Sequence, residues 1–154
     1  VGVGGTNLKV DTSGVVRSET VWTGCGCGLS SYEAIPSYQS PIAAIIGTKR
    51  ASADISAVAD PYTGCSVYDS TAYRGSSGWM VFGGTSLACP IVAGIANQAG
   101  HNAGGSLAAL NRIYSNISSG YYRDITSGTA GSFSARVGWD YPTGVGSPVG
   151  LLGL

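Results

Sequence analysis

The residue best placed to act as a nucleophile is Ser86, in the run "GWMVFGGTSLACPIVAGIANQAG" from Gly78 to Gly100. A serine hydroxyl attacks a carbonyl only when a base takes its proton, and acyl transfer also needs donors for the oxyanion that develops. The glycines before Ser86 let a substrate backbone approach closely. The apolar run that follows predicts a helix whose N-terminus favours negative charge beside the serine. Pro90 has no N–H to return to the Ser86 carbonyl, so the first turn is loosened there. A serine at a helix start can equally be a plain N-cap. What is missing nearby is the base. The single histidine, His101, lies on or just past the same helix. At ~1.5 Å of rise per residue it stands on the order of 20 Å from Ser86, against the ~3 Å a base requires. His101 is excluded as the partner and reads as a polar residue at the helix end.

Other groups carry weaker signals. "VGVGGTN" has the glycine density of a dinucleotide loop but lacks the third glycine at the required spacing, and no helix pattern follows. It reads as a turn between strands. The cysteines, Cys25, Cys27, Cys65 and Cys89, fit no common zinc spacing. Cys25 and Cys27 are too close to pair without strain, leaving Cys25–Cys65 with Cys27–Cys89, or Cys25–Cys89 with Cys27–Cys65. Free buried thiols and a metal site remain open beside those pairings. Asp124 and Asp140 stand in irregular, Gly-rich stretches, where aspartates more often serve turns. Asn116-Ile117-Ser118 is an acceptor pattern for N-glycosylation.

The elements that must position these residues read as strands interleaved with helices. "VGVGGTNLKV" and "SETVW" are β-rich, "TGCGCGLS" is a Gly/Cys loop, and "IPSYQSPIAAII" gives one or two helical turns broken by Pro36 and Pro41. "ADISAVAD" (Ala53 to Asp60) is a small-residue, nearly apolar strand suited to burial on both faces, as in a parallel sheet. "CSVYDS" and "WMVF" are further strands. Leu87 to Ala99 has the apolar density of a buried helix, and "SLAALNRIYSNI" is amphipathic with Leu107, Leu110 and Ile113 on one face. From Tyr121 onward the chain is irregular. The pattern is α/β, in one domain over residues 1–154.

Composition narrows the function classes. Lys+Arg and Asp+Glu both number 8, so no charge excess points to nucleic acid or an anionic membrane. No apolar run approaches the roughly 18 residues that span a bilayer. Only 10% of residues are charged, so acidification changes little, which suits a protein working at low pH. The chain begins at Val1 without an initiator Met or signal peptide and reads as a processed product. An even cysteine count and the sequon favour a secretory route.

The pattern Gly84-Thr85-Ser86-x-x-x-Pro90 resembles the nucleophile motif of the subtilisin-like superfamily. Further matches narrow the resemblance to the sedolisins, the serine-carboxyl peptidases, over practically the whole chain. Val3-Gly4-Gly5-Thr6 resembles that family's V-G-G-T strand end, and Glu19-Thr20-Val21-Trp22 its E-x-x-W. Pro36-Ser37-Tyr38-Gln39 resembles its P-S-Y-Q, and Asp54-Ile55-Ser56-Ala57 with Ala59-Asp60-Pro61 its D-V-S-A-x-A-D-P. The resemblance implies a subtilisin-like fold, a mostly parallel sheet flanked by helices, and a peptidase acting on peptides or proteins through an acyl-enzyme on Ser86. It also implies a calcium site near residues 121–145, an oxygen set suited to a hard cation. Its ligands would be Asp124, Asp140 and the carbonyls of Ile125, Arg136 and Gly138. The family usually has glycine where this chain has Arg136, whose guanidinium would have to point away from the ion.

The family's base is a glutamate oriented by an aspartate four residues later, with a further aspartate in the oxyanion hole. The only glutamates here are Glu19 and Glu33, and neither is followed by aspartate at that spacing. The resemblance places all three acids upstream of the V-G-G-T strand. The chain therefore reads as the C-terminal portion of the catalytic domain, partnered by an N-terminal portion as a second chain. A carboxylate base implies acid pH and hence secretion or an acidic lysosomal or vacuolar compartment. The alternatives are a non-catalytic sedolisin-like fragment and a secreted, disulfide-bonded binding module.

Overall fold

A computed structural model of the chain describes residues 1–101 and 104–154. In chain order come β1 (Val3–Val10), β2 (Val16–Val21), β3 (Gly28–Ala34), a 3-10 stretch at Ser37–Ile42, α1 (Ala43–Ile46), β4 (Lys49–Ser52) and β5 (Ile55–Val58). A 3-10 turn at Pro61–Thr63 leads to β6 (Cys65–Tyr73), β7 (Ser76–Phe82), α2 (Thr85–Ala99) and α3 (Ser106–Ser115). Four two-residue strands follow: β8 (Tyr122–Arg123), β9 (Thr129–Ala130), β10 (Phe133–Ser134) and β11 (Ser147–Pro148).

The α/β reading holds, but a mostly parallel sheet is not what these residues build. Among the described residues only β1 and β5 pair in parallel, Val3 opposite Ile55 to Thr6 opposite Val58. The central sheet runs β2-β1-β5, and the other strands form antiparallel pairs: β3 with β4, β6 with β7, β8 with β11 and β9 with β10. Connection length decides this for β1–β2, β6–β7 and β9–β10. Tight turns such as Asp11–Val15 and Arg74-Gly75 can only return a strand antiparallel, whereas the long crossover between β1 and β5 permits a parallel pair.

β5 is buried as expected, and α2 packs against it and β1. Its other edge is taken by the chain's far end: Val145 N–H donates to the Asp54 carbonyl, and Ser56 N–H to Gly146. "VGVGGTN" is not a turn. From Val3 on it lies within β1, and Gly4 and Gly5 are there for want of room. A Cβ on Gly4 would sit 2.1 Å from the Pro142 carbonyl oxygen, and one on Gly5 would sit 2.7 Å from the Ala59 Cβ.

Two helix readings need correction. In α2 only Ala88 and Val92 are buried, while Cys89, Pro90, Ala93 and Gly94 are exposed. In α3, Leu110 and Ile113 are buried as expected, joined by Tyr114, but Leu107 is 60% exposed. Tyr114 packs its ring against Tyr38, because α3 rests on the 3-10 stretch at Ser37–Ile42.

A carboxylate sits fully buried at the start of β5. Asp54 accepts from Gly2 N–H (2.6 Å), the Tyr114 hydroxyl (2.9 Å) and the Arg50 guanidinium (2.6 Å). Gln39, also buried, donates to Tyr114 Oη and the Ala51 carbonyl and accepts from Ala51 N–H. Burial and the Asp54 charge push the Tyr114 phenol well up, so it stays a donor. Tyr114→Phe leaves a buried carboxylate oxygen short of a donor and should lower stability by about 1–3 kcal/mol. Chemical denaturation checks this, and an unchanged midpoint would show the hydroxyl to be dispensable.

Candidate active site

Three of the quoted motifs meet at the N-terminus of α2. Asp60 accepts from Tyr62 N–H (2.9 Å), capping the 3-10 turn at Pro61–Thr63, and from Asn7 Nδ2 (2.7 Å). The Thr6 carbonyl receives the N–H groups of Ala59 and Asp60. Gly84 N–H donates to the Ala59 carbonyl, tying the loop before α2 to the end of β5. A Cβ on Gly83 would come 2.4 Å from the Ala59 carbonyl oxygen, and Gly84 has φ +108°, a conformation that disfavours side chains. The paired glycines are thus required by backbone packing and by the turn into the helix.

Gly84, not Ser86, is the N-cap, and no side chain caps this helix. The plain-cap reading of Ser86 therefore fails. Ser86 is the second residue of α2, is exposed, and its hydroxyl has no hydrogen-bond partner among the described residues. The first helical N–H groups have no intrahelical acceptor, so they favour negative charge developing beside Ser86. Pro90 lies inside α2 and leaves the Ser86 carbonyl without its ladder bond.

Among the described residues no base is hydrogen-bonded to that hydroxyl. His101 lies beyond the opposite end of α2 with Nε2 3.3 Å from Arg112 Nη2. Glu19 is buried by other duties: its carboxylate accepts from Thr6 Oγ1 and Ser147 Oγ, each at 2.7 Å, and faces Arg123 Nε at 3.5 Å. Sequence reading marked Glu19 only as part of a motif. Burial along β2 does not alternate, so no local pattern marked Glu19 as pointing inward. Glu33 is exposed on β3.

Asp124 and Asp140 are brought to one loop. Asp124 Oδ2 accepts from Gly138 N–H at 2.8 Å. Asp140 is fully buried, accepting from Arg136 N–H (3.1 Å) on Oδ2 and from Thr143 N–H and Oγ1 on Oδ1. Burial raises the Asp140 carboxyl above its ordinary range, the Thr143 and Arg136 donors oppose this, and the Asp124 charge adds to it. Ile125 is buried, whereas Arg136 and Gly138 are exposed. Among the described residues no three His, Cys, Asp or Glu side chains gather around a metal position. A cation here would have to complete its shell with carbonyl oxygens. Among the described residues neither carboxylate meets a cationic side chain within salt-bridge distance.

The disulfide pairings are not present: Cys25, Cys27, Cys65 and Cys89 are all free thiols. Cys25 is buried, accepting from Gly5 N–H at 3.2 Å and donating to the Pro142 carbonyl at 3.5 Å, while Cys65 and Cys89 are exposed. Burial pushes Cys25 up, and burial with the neighbouring Cys25 pushes Cys27 up to about 11, so both stay protonated at neutral pH. The sequon asparagine, Asn116, is half-buried and donates through Nδ2 to the Arg112 carbonyl at 2.8 Å, closing the end of α3.

No protein-family model matches the chain. Known proteins do. It is 37% identical to sedolisin from Pseudomonas sp. (strain 101) over 166 residues, covering 96% of this chain and 27% of that protein. It is 32% identical to kumamolisin from Bacillus sp. (strain MN-32), covering 96% of this chain and 29% of that protein. Xanthomonalisin from Xanthomonas sp. (strain T-22) is 33% identical over 94% of this chain and 20% of its own length. The solved structure of Pseudomonas sedolisin, a serine-carboxyl proteinase complexed with two molecules of pseudo-iodotyrostatin, superposes with a TM-score of 0.78 at 36% identity. That match covers 95% of this chain and 42% of that one. The chain thus spans well under half the length of the proteins it matches, while nearly all of its own length is matched in sequence and in fold. It is a member of the sedolisin family, corresponding to a C-terminal portion of those proteins.

Proposed function

We propose that this chain carries the nucleophile of a serine-carboxyl peptidase, cleaving peptide bonds through an acyl-enzyme on Ser86. The observation that carries this reading is the exposed, unpartnered Ser86 hydroxyl at the start of α2, behind a glycine pair, in a chain of this family. Ser86 Oγ attacks the scissile carbonyl, and the helix N-terminus helps to hold the resulting charge. The proton goes to a glutamate, oriented by an aspartate four residues later, on an N-terminal portion of the same protein. That portion also supplies the oxyanion aspartate, which donates only when protonated and so sets an acid optimum. It extends the single parallel pair β1–β5 into a mostly parallel sheet. Mass spectrometry of the native protein tests the arrangement. It should find a Glu-x-x-x-Asp segment in the same polypeptide or in a tightly associated second chain; native material with neither would refute it.

The loop holding Asp124 and Asp140 is the calcium site in this reading, with the carbonyls of Ile125, Arg136 and Gly138 completing the oxygen set. Bound calcium would neutralise the two carboxylates and fix residues 136–140 in place. If only the folded state binds the ion, Ca²⁺ at 100 times its Kd should add roughly 2.7 kcal/mol of stability. Thermal melting with and without chelator checks this. A Tm indifferent to chelator, or full calcium binding by Asp140→Ala, would refute the site. No helix among the described residues is long and apolar enough to cross a membrane. The sparse charge and an acid optimum fit secretion or an acidic lysosomal or vacuolar compartment.

A further inference from the structure

The ribbon formed by β6 and β7 stands apart from the core and runs directly into Gly83-Gly84-Thr85-Ser86. The register places Ser66 opposite Val81 and Tyr68 opposite Trp79, so these four share one face. That face is open: Tyr68 is 62%, Trp79 74% and Val81 56% exposed. The two rings meet edge to face with centroids 5.5 Å apart and form one aromatic platform. Met80 and Phe82, on the opposite face, are half-buried.

Composition separates this surface from the chain's other exposed apolar area. The open side of α2 offers Cys89, Pro90, Ala93 and Gly94, the small, aliphatic surface of a core awaiting permanent cover. The open ribbon face instead sets Tyr68 and Trp79 beside Ser66 and Ser77, while Tyr73 packs against Phe82 on the other side. Amphipathic aromatics among small polar residues are the composition of surfaces that bind and release. The ribbon's only charged side chains are Asp69, turned onto Thr71 N–H, and Arg74, lying over the Tyr73 ring near the turn. The sheet has only two strands, so each keeps a free backbone edge.

We propose that the Tyr68–Trp79–Val81 face of the β6–β7 ribbon is a docking surface for the extended peptide substrate, taking uncharged aromatic or aliphatic side chains several residues from the bond cut at Ser86. This rests on the peptidase reading of Ser86, and continuity commits the surface to the substrate. Trp79 precedes Ser86 by seven residues, which at ~3.3 Å per extended residue puts the platform within roughly 20 Å of the nucleophile, the reach of about six substrate residues.

The test uses the complete protein carrying Ser86→Ala, so that binding is read without turnover. The probe is a fluorescein-labelled ten-residue peptide of uncharged aromatic and aliphatic residues, followed by fluorescence anisotropy. Adding Trp79→Ala should raise Kd about tenfold, whereas Trp79→Phe should leave it within about twofold. Tyr68→Ser repeats the measurement should Trp79→Ala fail to show a cooperative melt. Unchanged affinity in the alanine and serine variants would overturn the proposal. So would loss of the cooperative melt in both, which would mark the face as part of the fold, or a parent dimer that Trp79→Ala splits, which would assign it to a second copy. Whether Ser86 is a nucleophile is read separately, from peptide cleavage by the unsubstituted protein.

Discussion

Ser86→Ala in the complete protein should abolish peptide hydrolysis while leaving the fold untouched. Loss of a nucleophile that acts with its base and oxyanion donors as one unit lowers kcat by on the order of 10⁶. The structural cost should stay within about 0.5 kcal/mol, since the hydroxyl is exposed and Gly84 already makes the cap. The two readouts therefore separate cleanly: an unchanged Tm with no acyl-enzyme in the mass spectrum. A folded Ser86→Ala protein with near-native peptidase activity would remove Ser86 from the chemistry altogether.

The second large effect concerns the 154-residue chain by itself. It should hydrolyse no peptide at acid pH, because no base among the described residues meets Ser86 and Glu19 is held by Thr6, Ser147 and Arg123. It should also bind apolar dyes or aggregate. Ala93, Gly94 and Pro90 on α2 lie open, beside an apolar hollow of about 280 Å³ between α2 and α3 lined by Val1, Val3, Val92, Ala96 and Ile113. Adding the N-terminal portion should quench the dye and restore cleavage together. A monodisperse isolated chain that cleaves peptides would mean that its proton acceptor had been misidentified.

How much of this was legible in the sequence depended on whether each constraint leaves a local trace. Gly83 and Gly84 did, because want of space and positive φ each exclude side chains, and Ser86 followed from them. The same glycine signal misled at Gly4 and Gly5. Crowding by Pro142 and Ala59 and the freedom of a turn demand the same residue, and only the distant neighbours distinguish them. "ADISAVAD" was legible as a buried strand from its small residues. That Asp54 would be held by Tyr114 was not, since the two lie 60 positions apart. Cysteine parity said nothing of where Cys25 and Cys89 end up, one inside and one on the open side of α2. The convergence of Asp124 and Asp140 on one loop was reachable only through family resemblance.

The clasp on β5 also sets a timetable for assembly. One edge pairs with β1 from the front of the chain, and the other takes Val145 and Gly146 from its far end. Contacts so distant in sequence cannot form until the intervening loop has closed, and topologies dominated by them fold slowly. On the ribosome, the strand that underpins Ser86 would stay half-clasped until residues 145 and 146 had left the exit tunnel. Cutting the chain before Val145 should therefore strike the nucleophile's foundation.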